Sequence, residues 1–201
     1  MVRSTDGCRL RPRVEGEREA QILDAAVELL NRVGYDRLTM DAVAAEAKAS
    51  KATLYRRWST KAALVVDAIL RSKETLQTPD TDTGSLRGDL LATASQHGGL
   101  CDERTAQTMA GIITALHHDA DFSEEFRSRI LAPKLASARA AFERARARGE
   151  ITADLDLDLF TPALAAIVLH RSFVQGLPVD EKTVASVVDE IILPAATRPT
   201  A

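Results

Sequence analysis

The chain of 201 residues predicts an all-α fold, and three observations carry that prediction. Apolar residues recur at intervals of three and four in nearly every long segment, the period of a helix with one buried face. Strand-forming runs are scarce, and the hydrophobic content comes from Ala and Leu, with few aromatics. Hydroxyl residues stand just ahead of several periodic segments, and a glycine just after one, where helix caps belong. About nine helices are expected: an N-terminal three-helix domain with a helix-turn-helix, joined through a fourth helix to a larger helical domain. A chain this long buries a sizeable core.

Residues 1–15 carry Arg3, Arg9, Arg11 and Arg13 among Gly and Pro and read as a flexible basic arm, suited to a minor groove or phosphates. From Gly16 to Val33, the residues Ile22, Ala25, Ala26, Leu29, Leu30 and Val33 share one helical face, and Gly34 supplies a stop. Tyr35 and Leu38 close the small core of that domain. Next comes the stretch LTMDAVAAEAKASKATLYRRWSTK, residues 38–61. Thr39 caps a helix over about 40–47, with Met40, Val43, Ala44 and Ala47 on one side. Lys48 and Ala49 make a turn, and Ser50 caps a second helix over 51–57. There Leu54 and Trp58, four residues apart, face inward. Lys51, Ala52, Thr53, Tyr55, Arg56 and Arg57 are left to the outside. A short helix exposing hydroxyls, an aromatic and three cations suits a DNA major groove.

A fourth helix is expected over 61–76, capped by Ser59 or Thr60, with Leu64, Val65, Ala68 and Ile69 inward. Residues 78–84 (TPDTDTG) have the composition of a loop. Helices follow at about 85–97, 101–118, 122–148, 156–175 and 180–193. Met109, Ile112, Ile113 and Leu116 make one inward face; Phe122, Phe126, Ile130, Leu135, Ala138 and Phe142 make another. Pro133 should kink or break its helix at the residues just before it. The last two helices carry broad apolar stripes: Leu159, Phe160, Leu164, Ile167, Val168 and Val174, then Val184, Val187, Val188, Ile191 and Ile192. Gly176-Leu177-Pro178 separates them. Apolar surface beyond what one bundle needs suggests self-association.

Charge divides the chain. Residues 1–73 hold fourteen Lys/Arg against ten Asp/Glu, and residues 74–201 twelve against nineteen. The first part can approach phosphate and the second is repelled by it. The cysteines, Cys8 and Cys101, have no metal-type spacing and imply no disulfide framework. No apolar run approaches the roughly 18 residues of a membrane span, and no signal core is present. A cytoplasmic protein with no membrane partner is expected. Adjacent His117 and His118 point about 100° apart on a helix and do not chelate. Neither a nucleophile elbow nor a glycine-rich phosphate loop occurs, so no metal, cofactor or catalytic site is expected and the enzyme class is set aside.

Thr39, Ser50, Thr53-Leu54-Tyr55, Trp58 and Lys61 together resemble the helix-turn-helix of TetR-family transcriptional regulators, over about Glu17 to Leu70. Lys48 departs from a turn position often filled by Gly, and Ala52 stands where Gly is frequent. The resemblance implies a DNA-binding domain over 16–61 and a regulatory and dimerisation domain over 62–201. It implies a ligand-responsive repressor that binds a palindromic operator in double-stranded DNA as a homodimer. By residue chemistry, Lys51, Thr53 and Arg56 suit base edges. Tyr55, Arg57 and Lys61 suit phosphates, as do the helix starts at Thr39 and Ser50. An effector, small and largely apolar, would meet some of Cys101, Gln107, Met109, Ile113, His117, Phe122, Phe126, His170 and Phe173. Leu164, Ile167, Val168, Arg171, Val184, Val187, Val188 and Ile191 would form the dimer interface. Two other readings stay open: an architectural DNA-binding protein without a ligand, and a redox sensor using Cys101.

Overall fold

The computed structural model describes the backbone of residues 11–74, 82–95 and 112–197, and within these the side chains of 16–72, 82–94 and 112–197. Every regular element among them is helical. The chain divides into two compact units at Ser72/Lys73, beyond the boundary at 61/62 that the sequence suggested. The physical reason is that α4, Lys61–Glu74, is apolar on the side facing its predecessors, with Ala62, Leu64, Val65, Val66, Ala68 and Ile69 all buried.

In the first unit α1 spans Arg11–Val33, α2 Met40–Glu46 and α3 Lys51–Arg57. Helix α1 begins inside the stretch expected to be a mobile arm; residues 1–10 lie outside those described. It ends at Gly34, whose φ of 78° is open to glycine at no steric cost. The core combines Ile22, Ala26, Leu29 and Leu30 of α1 with Tyr35, Leu38, Val43, Leu54 and Trp58. Polar contacts tie the same helices at their rims. Arg32 pairs with Glu46 at 2.6 Å, Arg57 with Glu19 at 3.1 Å and Arg71 with Asp24 at 3.1 Å.

The second unit is built on α5, Leu86–Ser95, which packs against α8 and α11. Residues 112–118 form α6, followed by α7, Ala120–Phe126. A π turn at Arg127–Leu131 leads straight into α8, Ala132–Ala147. Pro133 therefore does not break this helix. Proline lacks the N–H for the ordinary helical bond and crowds the carbonyl four residues back. The wider turn just ahead shifts that register, with the Ala132 N–H donating to the Arg127 carbonyl. The same device recurs at Pro194, behind the π turn Val188–Ile192. Helices α9, Leu157–Phe160, and α10, Ala163–Leu169, replace the single helix expected over 156–175. The interruption falls at Thr161-Pro162, and α10 continues as a π turn, His170–Val174. Helix α11, Glu181–Val187, starts on an Asp180 cap, and after its π turn ends in α12, Leu193–Ala196.

The core of this unit gathers Leu86 and Leu90 of α5, Phe142 and Ala145 of α8, Val168 of α10, and Val184, Val188 and Ile192 near the C-terminus. Phe160 meets Phe142 edge-on at 6.4 Å between ring centres. On α6, Ile112 and Ala115 are inward but Ile113 is exposed, because consecutive helical residues diverge by about 100°. One stretch, Leu157–Val174, is long and apolar enough to cross a membrane by length and composition, which the sequence reading had not found. It contains the Thr161-Pro162 interruption, and Leu157, Leu164 and Val168 within it pack into the unit's own core.

One ionic cluster locks the entrance to α5. The Asp89 side chain is 1% exposed. Its Oδ1 accepts from the Thr83 N–H and the Thr83 hydroxyl, both at 2.7 Å, and its Oδ2 accepts from Arg144 at 3.1 Å. Burial pushes the Asp89 carboxyl up, but the Thr83 and Arg144 hydrogen bonds outweigh it and hold the group below the usual aspartate value. Gly149, at φ 74°, ends α8 and turns Glu150 back. Its carboxylate then pairs with Arg148 and accepts the Leu86 N–H at 2.7 Å.

Candidate nucleic-acid interface

The exposed surface of α3 exists because its caps and anchors are satisfied from within. Thr39 Oγ1 accepts the Ala42 N–H at 3.1 Å, and Ser50 Oγ accepts the Thr53 N–H at 3.1 Å. Between the two helices, Lys48 adopts φ 51°. The Lys48 N–H donates to Ala45 O at 3.1 Å and the Ala49 N–H to Ala44 O at 2.8 Å, closing the end of α2 in a Schellman turn. A glycine would enter that conformation without the penalty a Cβ brings, on the order of 1 kcal/mol. Arg18 of α1 donates to the Lys48 carbonyl and pins the turn.

Leu54 and Trp58 are buried, and the Trp58 indole N–H donates to Asp67 of α4 at 2.7 Å. That anchoring turns Lys51, Ala52, Tyr55, Arg56 and Arg57 outward, with Thr53 half-buried beside Ser50. The cations differ in how free they are. Lys51 Nζ lies 2.6 Å from Asp41 Oδ2, and this hydrogen bond holds the lysine above its ordinary value. Arg57 bonds Glu19 and lies 5.8 Å from the Trp58 ring centre. Among the described residues Arg56 has no partner. Lys61, expected at a phosphate, is turned to the protein: its ammonium sits 3.9 Å from the Tyr35 ring centre and donates to Tyr35 O at 3.2 Å. Asp41, Glu19 and Arg18 were missed from the sequence, since pairing between surface charges far apart in the chain leaves no local pattern.

Residues 22–68 match the model of the TetR family of bacterial regulatory proteins, and residues 80–191 match the tetracyclin repressor-like C-terminal domain. The chain belongs to the TetR family. A DNA-binding transcriptional repressor TetR of Mycobacteroides abscessus is 36% identical over 88% of this chain and 92% of the relative. The HTH-type transcriptional regulator YdeS of Bacillus subtilis is 34% identical over 89% of each. A crystal structure of another TetR-family transcription regulator superposes with a TM-score of 0.67 at 31% identity, covering 91% of this chain and 100% of that one. This TetR-family chain is thus a DNA-binding transcription regulator and not an enzyme.

In the second TetR-family unit, the residues expected at an effector or a partner differ in burial. Cys101, Gln107 and Met109 fall outside the described residues. Phe122 and Phe126 are buried, their rings 5.8 Å apart, and Phe173 is half-buried. Ile113, His117 and His170 are exposed. A cavity of about 540 Å³ opens to solvent along α7, lined by Ala120, Ser123, Glu124, Arg127 and Ser128, and includes none of the expected ligand residues. Of the expected interface, Leu164, Val168, Val184, Val187 and Val188 belong to the unit's own core cluster. Ile191 stays exposed, and Ile167 and Arg171 are half-buried. Among the large exposed apolar side chains here, the most open are Leu159 at 66%, Val174 at 72%, Leu177 at 43% and Ile191 at 49%, with Ile113 and Leu131 less so.

Proposed function

We propose that this regulator is a repressor that binds a palindromic operator as a homodimer and is released by a small, largely apolar effector. The observation that carries this reading is α3: anchored by Leu54 and Trp58, it presents Arg56 unpaired among the described residues, between exposed Tyr55 and Arg57. One seven-residue helix reaches few base pairs, so selectivity needs a second copy. A two-fold dimer would place two such helices in successive major grooves, about 34–36 Å apart. Arg56, Lys51 and Thr53 are assigned to base edges. Tyr55 and Arg57 are assigned to phosphates, with the helix starts at Thr39 and Ser50. Lys61 is assigned a packing role, because its ammonium is spent on Tyr35.

Leu159, Val174, Leu177 and Ile191 support self-association, since apolar side chains so open to water favour a covering surface. The effector would act by preferring a DNA-incompetent state of the dimer, because only differential affinity shifts such an equilibrium. A cytoplasmic location follows from the same role.

The test is selection from randomised duplex DNA at moderate salt with the purified full-length protein. A two-fold symmetric motif is expected. Arg56→Ala should then relax preference at one base pair in each half-site, by about 1–3 kcal/mol. If no motif is enriched, DNA binding is non-specific and the architectural reading takes over.

A further inference from the structure

The face of α3 carries an acid as well as bases. Asp41, in the first turn of α2, places its carboxylate 2.6 Å from the ammonium of Lys51, and both side chains are more than half exposed. The fold has little use for this contact. An exposed ion pair contributes little to stability, and the Schellman turn with buried Val43 and Leu54 already joins α2 to α3. On a surface that meets phosphate, a carboxylate opposes every duplex regardless of sequence. A base edge with an amino group removes that opposition; a phosphate does not.

The pair also has a shape. It sets a three-donor ammonium beside an acceptor at 2.6 Å. The major-groove edge of a G·C pair sets the guanine O6 acceptor beside the cytosine N4 donor, hydrogen-bonded to each other at about 2.9 Å. Guanine N7 adds a second acceptor on the lysine side. Laid against each other, the two pairs satisfy all four groups at once. An A·T pair flanks its adenine N6 donor with single acceptors, adenine N7 on one side and thymine O4 beside the methyl group on the other, so the ammonium finds no second adjacent acceptor there.

Resting on the proposal that α3 enters the major groove, we propose that Asp41 is a specificity-determining residue that reads one G·C pair in each half-site jointly with Lys51. Lys51 donates to guanine, Asp41 accepts from cytosine N4, and on any other DNA Asp41 keeps Lys51 from phosphate.

The experiment measures binding of full-length wild type, Asp41→Asn, Lys51→Gln and the double variant. The probes are a selected operator, its single-base variants and a random duplex, across a fourfold range of salt. Wild type should prefer G·C at one position of each half-site by on the order of tenfold. Asp41→Asn should lose that preference as fully as Lys51→Gln does, with the double variant no worse than either. On random duplex, Asp41→Asn should bind more tightly, with a salt slope steeper by about 0.9 per protomer as Lys51 takes a phosphate. That slope is about a 3.5-fold difference per protomer across the salt range, or about 12-fold for the dimer. An undiminished G·C preference in Asp41→Asn, additive losses in the double variant, an unaltered salt slope, or an A·T pair at that position would each overturn the proposal. Absence of any selected motif in wild type would sink the operator reading itself, a result distinct from these.

Discussion

Replacing Asp89 should cost the second unit more than any other single polar change among the described residues. The carboxylate is closed to solvent and makes three hydrogen bonds: two from Thr83 to Oδ1 and one from Arg144 to Oδ2. Asp89→Ala removes them all and leaves the Thr83 N–H and the Arg144 guanidinium short of an acceptor. Breaking one partner out of a buried pair costs about 3–5 kcal/mol. Asp82 moderates this, lying 3.9 Å from Arg144 and 3.3 Å from Arg148. A loss near 3 kcal/mol is expected, equivalent to a melting temperature roughly 6–12 °C lower for a chain of this size.

Asp89→Asn separates charge from shape. Its amide oxygen still accepts from Thr83, while its amino group faces the arginines as donor against donor. About 1.5–3 kcal/mol should go with the charge-assisted bond. The pH dependence identifies the cause. The folded Asp89 carboxyl titrates below its unfolded value. Its stabilisation is therefore complete above about pH 4 and disappears as pH falls through the folded value. Wild type and Asp89→Asn should differ by a constant amount from about pH 5 to 7 and converge in more acid solution. Urea unfolding followed by helical circular dichroism, at one fixed protein concentration, measures both quantities. An Asp89→Ala protein within about 0.5 kcal/mol of wild type, or curves that stay parallel down to acid pH, would refute the account of this cluster.

Lys48→Gly should stabilise the first unit by about 0.5 kcal/mol, because relief of the strained φ exceeds the extra freedom glycine has when unfolded. A lower unfolding midpoint would contradict it. Ser50→Ala should cost about 1 kcal/mol through the lost cap on α3, read as faster amide exchange in that helix; unchanged exchange at Thr53 would contradict it. The two apolar classes of the second unit should separate cleanly. Val188→Asp buries a charge in a closed core and should unfold the unit at a cost above about 4 kcal/mol. Val174→Asp, on an exposed position, should leave helicity intact and lower the mass seen in sedimentation from dimer to monomer. Dissociation by the first, or an unaltered mass in the second, would reverse the assignment.

The two units were unequally legible, for a physical reason. In α2 and α3 every governing contact is local: a hydroxyl caps a backbone N–H three residues on, and anchors repeat at four. Local contacts leave a sequence period, so the exposed face of α3 was readable from its residues. The fate of each charge on that face was not, since Lys51 answers to Asp41 and Lys61 to Tyr35 across turns that no period records.

In the second unit the apolar stripes of α10 and α11 were equally plain, but a stripe records that a face is covered without recording what covers it. Helix α5 covers much of it here, drawing Val184, Val187 and Val188 into one core with Leu86 and Leu90. Helix α5 itself has no strong stripe to announce that role: its buried apolar residues Leu86 and Leu90 are separated by Arg87 and by the buried Asp89, which are held by partners distant in the chain, Asp189 and Arg144. Once that core has taken its share, the side chains of the expected stripes left most open to water are Leu159, Val174 and Ile191, with Leu177 of the connecting turn beside them in sequence. A stripe read from hydrophobicity alone therefore includes residues that the protomer's own core already uses. Subtracting the protomer's own core leaves the exposed side chains that the proposed second copy would have to cover.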